Sequence, residues 1–366
     1  MKKATTTTAA ATIDAAKLQN SNYTGKGGMY IVSTGRREMS DTRDFAALIG
    51  EELSRADALK DGIPETVGMF RIKSANQTMI EAQAQPDPIP LWLSLWYEGE
   101  VCCLFSDSNL GKSIYAVQIA ASIAKQQRVL YFDFELSAKQ FQRRYTDGQG
   151  QLFQFPEDFL RVEIDPDKLD TTNFEDAVIE HIEATATQTA TKILIIDNLT
   201  YLCNSTEKGD AAGRLMMRLM ALKKKYGFSL LVIAHTPKRN LSSPITTNDL
   251  AGSKKLFNFF DSCFAIGQSA KDSGLRYIKQ MKVRNGDYTF NADNVIVCSI
   301  EQVGAFLQFV PMGYATEREH LKELDPNDKA TIVEQVKQLS AEGCSQRQIR
   351  DKLGLSLGTV NNYLKK

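Results

Sequence analysis

The residues best suited to chemistry lie in the stretch FSDSNLGKSIYA, which runs from Phe105 to Ala116. Its Gly-Lys-Ser ends the pattern G-x-x-x-x-G-K-[ST] of phosphate-binding loops, but Ser106 stands where that pattern has its first Gly. The apolar run EVCCLF precedes the loop, and KSIYAVQIAASIAK, with apolar residues at helical spacing, follows it. A strand, a loop and a helix in this order predict phosphate binding by backbone N–H groups and the helix N-terminus.

The residues of this loop have separate predicted tasks. We expect Lys112 to reach the β- and γ-phosphates of ATP and Ser113 to ligate Mg²⁺. Gly111 is retained beside the lysine, and Asn109 is the non-glycine type that best tolerates a left-handed backbone. The predicted nucleotide-binding residues are Ser106, Asp107, Ser108, Asn109, Leu110, Gly111, Lys112, Ser113 and Ile114.

Two further apolar runs end in polar residues that suit the same site. KILIIDN reads as a strand ending in Asp197, where a second Mg²⁺-holding acid belongs, although strand-end Asp residues also cap turns. SLLVIAH ends in His235, a candidate γ-phosphate sensor or, alternatively, a hydrogen-bonded strand terminus. Because the carboxyl ends of parallel strands meet at one edge of a sheet, both residues are expected beside the loop.

A pair of carboxylates supplies the candidates for orienting an attacking water. In RVLYFDFELSAKQ, Asp133 and Glu135 are separated by one residue, so on a strand both side chains would point to the same face. From this spacing alone either carboxylate could take the role.

The same apolar runs predict the fold. From Leu91 to about Met312, nearly continuous apolar runs alternate with helical stretches, which is typical of β-α units around a mostly parallel sheet. After CFAIG apolar and polar residues alternate, and Asn285-Gly286 predicts a hairpin turn in an antiparallel extension. The predicted class is α/β, with a flexible tail at 1–27, a small N-terminal region and linker at 28–88, the α/β domain at 89–315 and an all-α module at 326–366.

The composition limits the class of protein. The 366 residues include 44 Lys+Arg and 44 Asp+Glu, so any contact with nucleic acid must come from a local basic patch. The six cysteines are scattered without C-x-x-C spacing and are expected to be reduced core residues. No stretch resembles a signal peptide or a membrane span, so we expect a cytoplasmic protein without a membrane partner. An amphipathic helix is predicted at Thr42 to Leu59.

Several stretches together resemble the RecA-type ATPases, and within them the replicative helicase ATPases of the DnaB and RepA kind, which are AAA family ATPases in the broad sense. The matching stretches are SDSNLGKS, LYFDFELSAKQ, ILIIDNLTYL, VIAHTPK, NDLAGSKKLFNFFDSCFAIG and KQMKVRNG, in the order of the family. The resemblance covers residues 91–312 and implies a RecA-like P-loop core.

This resemblance also implies roles for particular residues. It favours Glu135 over Asp133 as the catalytic carboxylate, because the family places its glutamate before [LM]-S. Lys282 and Arg284, as K-x-R before Asn-Gly, resemble the pair that such enzymes insert into a neighbouring subunit's site. The alternative is that these two residues lie on a strand face exposed to solvent. The implied assembly is a homo-oligomer, and a hexamer is what the family suggests.

The segment after Asp325 predicts three helices with explicit end signals. Ser345 and Gln348 form an S-x-x-Q capping box, Gly354 ends that helix, and Ser356 caps the last one. The stretch resembles the helix-turn-helix of resolvases and response regulators. The predicted core is Ile349, Leu353, Leu355, Val360 and Leu364. The predicted DNA-binding residues are Arg347, Arg350, Thr359, Asn361, Asn362, Lys365 and Lys366. Docking to a protein, or capping of the chain's own ATPase ring, is the alternative for this module.

Two hypotheses of function follow. The first is a DNA-dependent ATPase, a ring-forming helicase or DNA-remodelling motor in replication or in transfer of a mobile element. The second is an ATP-gated regulator that assembles on a specific DNA site without motor activity. A small-molecule kinase is disfavoured, because His235 and the K-x-R pair have no role there.

Overall fold

The computed structural model describes residues 64–168, 174–202, 208–236, 239–250, 254–323 and 326–365. The predicted tail and the helix predicted at 42–59 lie outside these ranges. The chain divides into two compact units, Met1–Pro86 and Asp87–Lys366. The described part of the first unit consists of a short hairpin and one helix, namely β1 (Thr66–Val67), β2 (Phe70–Arg71) and α1 (Ala75–Gln83).

The second unit is built on a nine-stranded sheet, preceded by a small hairpin of β3 (Pro90–Trp92) and β4 (Trp96–Tyr97). The sheet strands are β5 (Val101–Ser106), β6 (Val129–Asp133), β7 (Phe159–Val162), β8 (Ile193–Asp197), β9 (Ser229–His235), β10 (Ser262–Gln268), β11 (Leu275–Lys282), β12 (Val295–Val303) and β13 (Phe306–Ala315). Their spatial order is β13-β12-β11-β10-β5-β9-β8-β6-β7. The pairs from β10 to β7 are parallel and those from β13 to β10 antiparallel. The predicted α/β sheet with an antiparallel extension is thereby confirmed, and β7 is the strand that the apolar runs did not indicate.

The helices of the second unit that precede its C-terminal module pack against the sheet. They are α2 (Lys112–Ile123), α3 (Ala138–Arg144), α4 (Phe174–Gln188), α5 (Leu199–Leu202), α6 (Lys208–Tyr226) and α7 (Lys254–Phe259). Of the helices in the part of the chain that the structure describes, none is both long enough and apolar enough to cross a membrane.

Burial on both faces explains why the central strands are continuously apolar. In β5, Cys103 and Phe105 belong to one hydrophobic cluster, while Cys102 and Leu104 belong to the cluster on the opposite face. Every residue of β5 and β8 is buried. The rigid centre of the sheet therefore fixes the positions of the residues that follow its strands.

The tight two-residue turn predicted at Asn285-Gly286 is wrong, although β11 and β12, the strands on either side of it, do pair antiparallel. Residues 283–294 form a long connection between β11 and β12, and the tight turn lies instead between β12 and β13, where Gly304 has φ 60°. Gly286 is left-handed, at φ 80°, for a tertiary reason. A Cβ on Gly286 would lie 2.3 Å from the Tyr97 hydroxyl, so the dipeptide marks a close approach and not a two-residue turn.

The C-terminal module contains α8 (Pro326–Ala341), α9 (Gln346–Leu353) and α10 (Leu357–Leu364). The predicted ends are confirmed: Ser345 and Gln348 form the capping box, Gly354 is left-handed at φ 64°, and the Ser356 hydroxyl accepts from the N–H of Thr359. The buried core is Val336, Ile349, Val360 and Tyr363, with Leu353, Leu355 and Leu364 packed against it. The module touches the α/β domain through the hydroxyl of Ser243, which donates to the carbonyl of Gly354 at 2.7 Å.

Candidate functional site

The loop between β5 and α2 has the conformation that phosphate binding requires. Asn109 and Gly111 are both left-handed, with φ of 62° and 92°, as expected for Asn109. Gly111 directly precedes α2, whose first N–H groups have no partner within the helix. Ser106, in contrast, is the last residue of β5 and has strand geometry. Serine can stand at the position of the pattern's first glycine because no left-handed backbone is needed there.

Lys112 is tightly held within this loop. Its Nζ donates to the carbonyl oxygens of Ser106 and Asp107, each at 3.0 Å. Burial lowers the pKa of Lys112 to about 8, although the nearby carboxylates of Asp197, Glu135 and Asp107 act in the opposite direction. Asp107 also closes the loop locally, because its Oδ1 accepts from the N–H of Ser108 at 2.7 Å. The ammonium group is therefore positioned inside the loop and surrounded by acceptors.

Replacement of Gly111 by Ala is expected to destabilise the fold by about 1–3 kcal/mol. The backbone is left-handed there, and a Cβ would lie 2.7 Å from Ile300 and 3.0 Å from Phe309. Thermal and urea unfolding of the two proteins measure the change. Gly213→Ala is the matched control, since Gly213 lies in α6 with open space around it, and Ala there should add about 0.5–1 kcal/mol. Equal stabilities of Gly111→Ala and wild type would contradict this account of the loop.

Asp197 lies at the carboxyl end of β8 and is almost fully buried. Its Oδ2 accepts from the hydroxyl of Tyr131 at 2.5 Å, while its Oδ1 is buried without a hydrogen-bond partner. Burial raises the pKa of Asp197 to about 6, hydrogen bonds from Ser113 and Tyr131 lower it, and the charges of Asp133 and Glu135 raise it further. An unpartnered carboxylate oxygen beside a serine hydroxyl is a donor set that fits Mg²⁺.

The raised pKa of Asp197 predicts that the ligand-free fold becomes more stable when this charge is removed. A folded-state pKa of about 6 against 3.8 means that stability falls as the pH rises between these values. Asp197→Asn should therefore add about 2–3 kcal/mol to the free energy of unfolding at pH 7, without nucleotide or metal. Differential scanning calorimetry of wild type and Asp197→Asn measures this difference in the free energy of unfolding.

The control for this prediction is Asp133→Asn, which should lower stability. Asp133 is similarly buried, but its carboxylate is paired with Arg161 at 2.8 Å, so Asn would remove a buried favourable charge interaction and leave Glu163 as the remaining carboxylate partner of Arg161. If both variants were destabilised alike, the unpartnered oxygen of Asp197 would not be the cause.

The two candidate carboxylates have different surroundings. Oδ2 of Asp133 accepts from Arg161, and its Oδ1 accepts from the N–H groups of Glu135 and Leu136 at 3.2 and 2.9 Å. These bonds turn the chain at the end of β6, so Glu135 lies beyond the strand, and the predicted common strand face is wrong. Glu135 is exposed, and its Oε2 accepts from Nδ2 of Asn198 at 2.9 Å. Asp133 is thus a structural anchor, and Glu135 is the carboxylate that can meet a water.

His235 ends β9 directly beside the phosphate loop, since it pairs in register with Ser106. Burial and the nearby Lys112 ammonium lower the pKa of His235, so the imidazole is neutral at pH 7. Its Nε2 lies 3.2 Å from Nδ2 of Asn198. Asn198 is the site residue that no sequence pattern indicated, and its single signal is its position directly after Asp197.

Lys282 and Arg284 lie far from these residues. Arg284 donates to Asp261 at 2.8 Å, and Asp261 also accepts from the N–H of Val101, the first residue of β5. This is the amino edge of the parallel strands, about 15–20 Å from the loop at the other end of β5. Lys282, the last residue of β11, donates to the carbonyl of Phe257, and Arg284 lies beyond the end of that strand. The structure does not bring this pair to the phosphate loop of its own chain.

The predicted DNA-contacting residues differ in exposure. Arg350 is half-buried and donates to its neighbour Asp351, while the hydroxyl of Thr359 lies 2.8 Å from that of Ser356. Lys366 lies outside the described residues. The exposed candidates are Arg347, Asn361, Asn362 and Lys365.

A phosphate loop, a buried strand-end aspartate and an exposed glutamate lie at the carboxyl edge of the parallel sheet, and this arrangement is similar to the nucleotide site of RecA-type P-loop ATPases. The comparisons with known proteins agree. The family model of the AAA domain matches residues 70–240. The DNA repair protein RadA of Pseudomonas aeruginosa is 24% identical to this chain over 194 residues, which is 52% of this chain and 37% of that protein. The chain thus spans little more than a third of the length of that relative.

Proposed function

We propose that this protein is a DNA-dependent ATPase, acting as a ring-forming helicase or DNA-remodelling motor in replication or in transfer of a mobile element. The observation that carries the proposal is the gathering of Lys112, Asp197, Glu135 and His235 at one edge of the sheet. Four strands bring these groups together from distant parts of the chain. Their chemistry matches that needed to bind and hydrolyse a nucleoside triphosphate.

Each residue has a defined role in this proposal. Lys112 leaves the carbonyl oxygens of its own loop and binds the β- and γ-phosphates. Ser113 and Asp197 would hold Mg²⁺, which would supply positive charge to the phosphates. Glu135, exposed at the site, orients the attacking water, and His235 lies where the γ-phosphate can be sensed.

The proposed assembly is a homo-oligomer, with a hexamer suggested by the helicase resemblance. This proposed assembly is supported by the position of Lys282 and Arg284 at the edge of the sheet opposite to the phosphate loop. Arg284 keeps 55% of its side-chain surface exposed and so can reach a second copy of the chain. A cation supplied in trans would complete each site only in the assembled state.

DNA is the proposed partner for two reasons. The name of the related RadA protein describes a DNA repair protein. The exposed Arg347, Asn361, Asn362 and Lys365 supply groups for phosphate and base-edge contacts.

The test is the steady-state rate of ATP hydrolysis without DNA, with single-stranded DNA and with duplex DNA. Strong stimulation by single strands, together with strand separation of a tailed duplex, is expected of wild type and absent from Lys112→Ala. Hydrolysis that is indifferent to DNA would overturn the motor proposal.

The second candidate is the ATP-gated regulator that binds one DNA site without motor activity. It is favoured by the capped three-helix module, whose last helix leaves Asn361 and Asn362 exposed. In this case a footprint on a defined sequence should survive Glu135→Gln, because binding and not hydrolysis would carry the function. Lack of any sequence preference would count against it.

A further inference from the structure

The side chain of Asn198 contacts both Glu135 and His235, the residues proposed to orient the water and to sense the γ-phosphate. Its Nδ2 donates to Oε2 of Glu135 at 2.9 Å and lies 3.2 Å from Nε2 of His235. Asn198 is buried at the end of β8, whereas Glu135 is exposed on a bend beyond β6. An exposed glutamate has many rotamers, so a fixed donor from the rigid sheet edge restricts where its carboxylate lies.

The orientation of the Asn198 amide follows from a third contact. Its Oδ1 accepts from the backbone N–H of Tyr201 at 3.0 Å, which places the oxygen on that side and the NH₂ group towards Glu135 and His235. Because the NH₂ group can only donate, Nε2 of His235 must accept, and the ring proton lies on Nδ1. The lowered pKa of His235 agrees with this neutral tautomer.

A purely structural role would not require an amide at this position. Acceptance from the Tyr201 N–H needs only an oxygen, which Asp would supply equally well as a turn cap. The two N–H donors of the amide, in contrast, both point to groups of the proposed catalytic machinery. Asparagine is therefore the residue type that can hydrogen-bond to the glutamate, to the histidine and to the backbone of the turn at the same time.

We propose that Asn198 is a positioning residue that holds Glu135 at the water-activating position and couples it to His235. The proposal rests on the proposed ATPase function and extends it. When the γ-phosphate engages His235, the shared amide transmits the change to Glu135, so that water activation depends on a triphosphate being bound. Asn198 itself does not touch the reacting atoms.

Two nearly isosteric variants test the proposal. Asn198→Asp keeps the acceptor for Tyr201 but removes both donors and adds a charge, while Asn198→Leu removes the donors without adding charge. Both should lower kcat about ten- to a hundredfold and leave KM and the dissociation constant of ATP within about threefold. Asn240→Asp is the matched control, because Asn240 caps Ser242 through Oδ1, which Asp retains, and its kcat should equal that of wild type.

The outcomes separate this inference from the function on which it rests. Wild type that hydrolyses ATP, with either Asn198 variant retaining its kcat, would overturn the positioning role and leave the ATPase intact. Wild type without hydrolysis would overturn the ATPase itself. If the Asn198 variants showed a higher KM and a lower melting temperature at unchanged kcat, the role of Asn198 would be that of a structural cap only.

Discussion

Glu135→Gln is expected to lower kcat for ATP hydrolysis by at least about a hundredfold while ATP still binds within about threefold of the wild-type affinity. Gln keeps the size of the side chain and can still accept from Nδ2 of Asn198, but it cannot accept the proton of the attacking water. The reaction therefore loses its base while the phosphate loop is unchanged. Steady-state hydrolysis and equilibrium binding of a fluorescent ATP analogue measure the two quantities.

Two control variants test whether this effect is specific to Glu135. Lys112→Ala should lose ATP affinity together with hydrolysis, since the ammonium that reaches the phosphates is removed. Asp133→Asn should keep kcat close to wild type at a temperature where the variant is folded, because Asp133 is engaged by Arg161 and by backbone N–H groups. If instead Asp133 were essential for hydrolysis and Glu135 dispensable, the assignment of Glu135 as the catalytic carboxylate would be wrong.

The same measurement with DNA separates the two functional candidates. Strong stimulation by single strands that Glu135→Gln abolishes would mean a translocating motor with an accessory C-terminal module. Slow hydrolysis that neither form of DNA changes would mean a nucleotide-gated assembly.

Arg284→Ala is expected to lower hydrolysis by about three orders of magnitude or more, and this activity should return in mixed oligomers. Arg284 lies at the edge of the sheet opposite to its own phosphate loop, so in the proposed assembly it would complete the site of another copy. A Lys112→Ala chain retains an intact Arg284 and can supply it to an Arg284→Ala neighbour. In a random equal mixture roughly a quarter of all sites combine an intact loop with an intact arginine.

The mixing experiment includes its own controls. The two inactive chains are mixed before assembly, and each is also assayed alone. Lys271→Ala, which removes an exposed cation paired with Glu319, should hydrolyse ATP at the wild-type rate. If the mixture stays as inactive as its parts while the oligomers form, Arg284 does not act between subunits.

Local features of this chain were predictable where neighbouring residues alone determine them. The strands β5, β8 and β9 follow from continuous apolar runs, since a strand buried on both faces has no polar positions. The caps at Ser345, Gly354 and Ser356 follow from short-range hydrogen bonds and from the freedom of glycine.

The errors arose where distant parts of the chain decide the conformation. Asn285-Gly286 matches the sequence of a two-residue turn, but Gly286 is required by its approach to Tyr97, far away in the chain. The common face expected for Asp133 and Glu135 assumed that β6 continues past Asp133. The strand ends there because Asp133 binds Arg161 of β7 and the N–H groups that follow it.

The sequence by itself determined the α/β order of elements, the phosphate loop with its lysine and the strand-end positions of Asp197 and His235. These are set by hydrophobic periodicity and by residue types at fixed spacing. Only the tertiary structure decided that Glu135 and His235 share the amide of Asn198, and that Arg284 lies at the opposite edge of the sheet. The physical reason is that these contacts join residues on different strands. The distance between such residues depends on strand order and register, and local sequence determines neither the order nor the register.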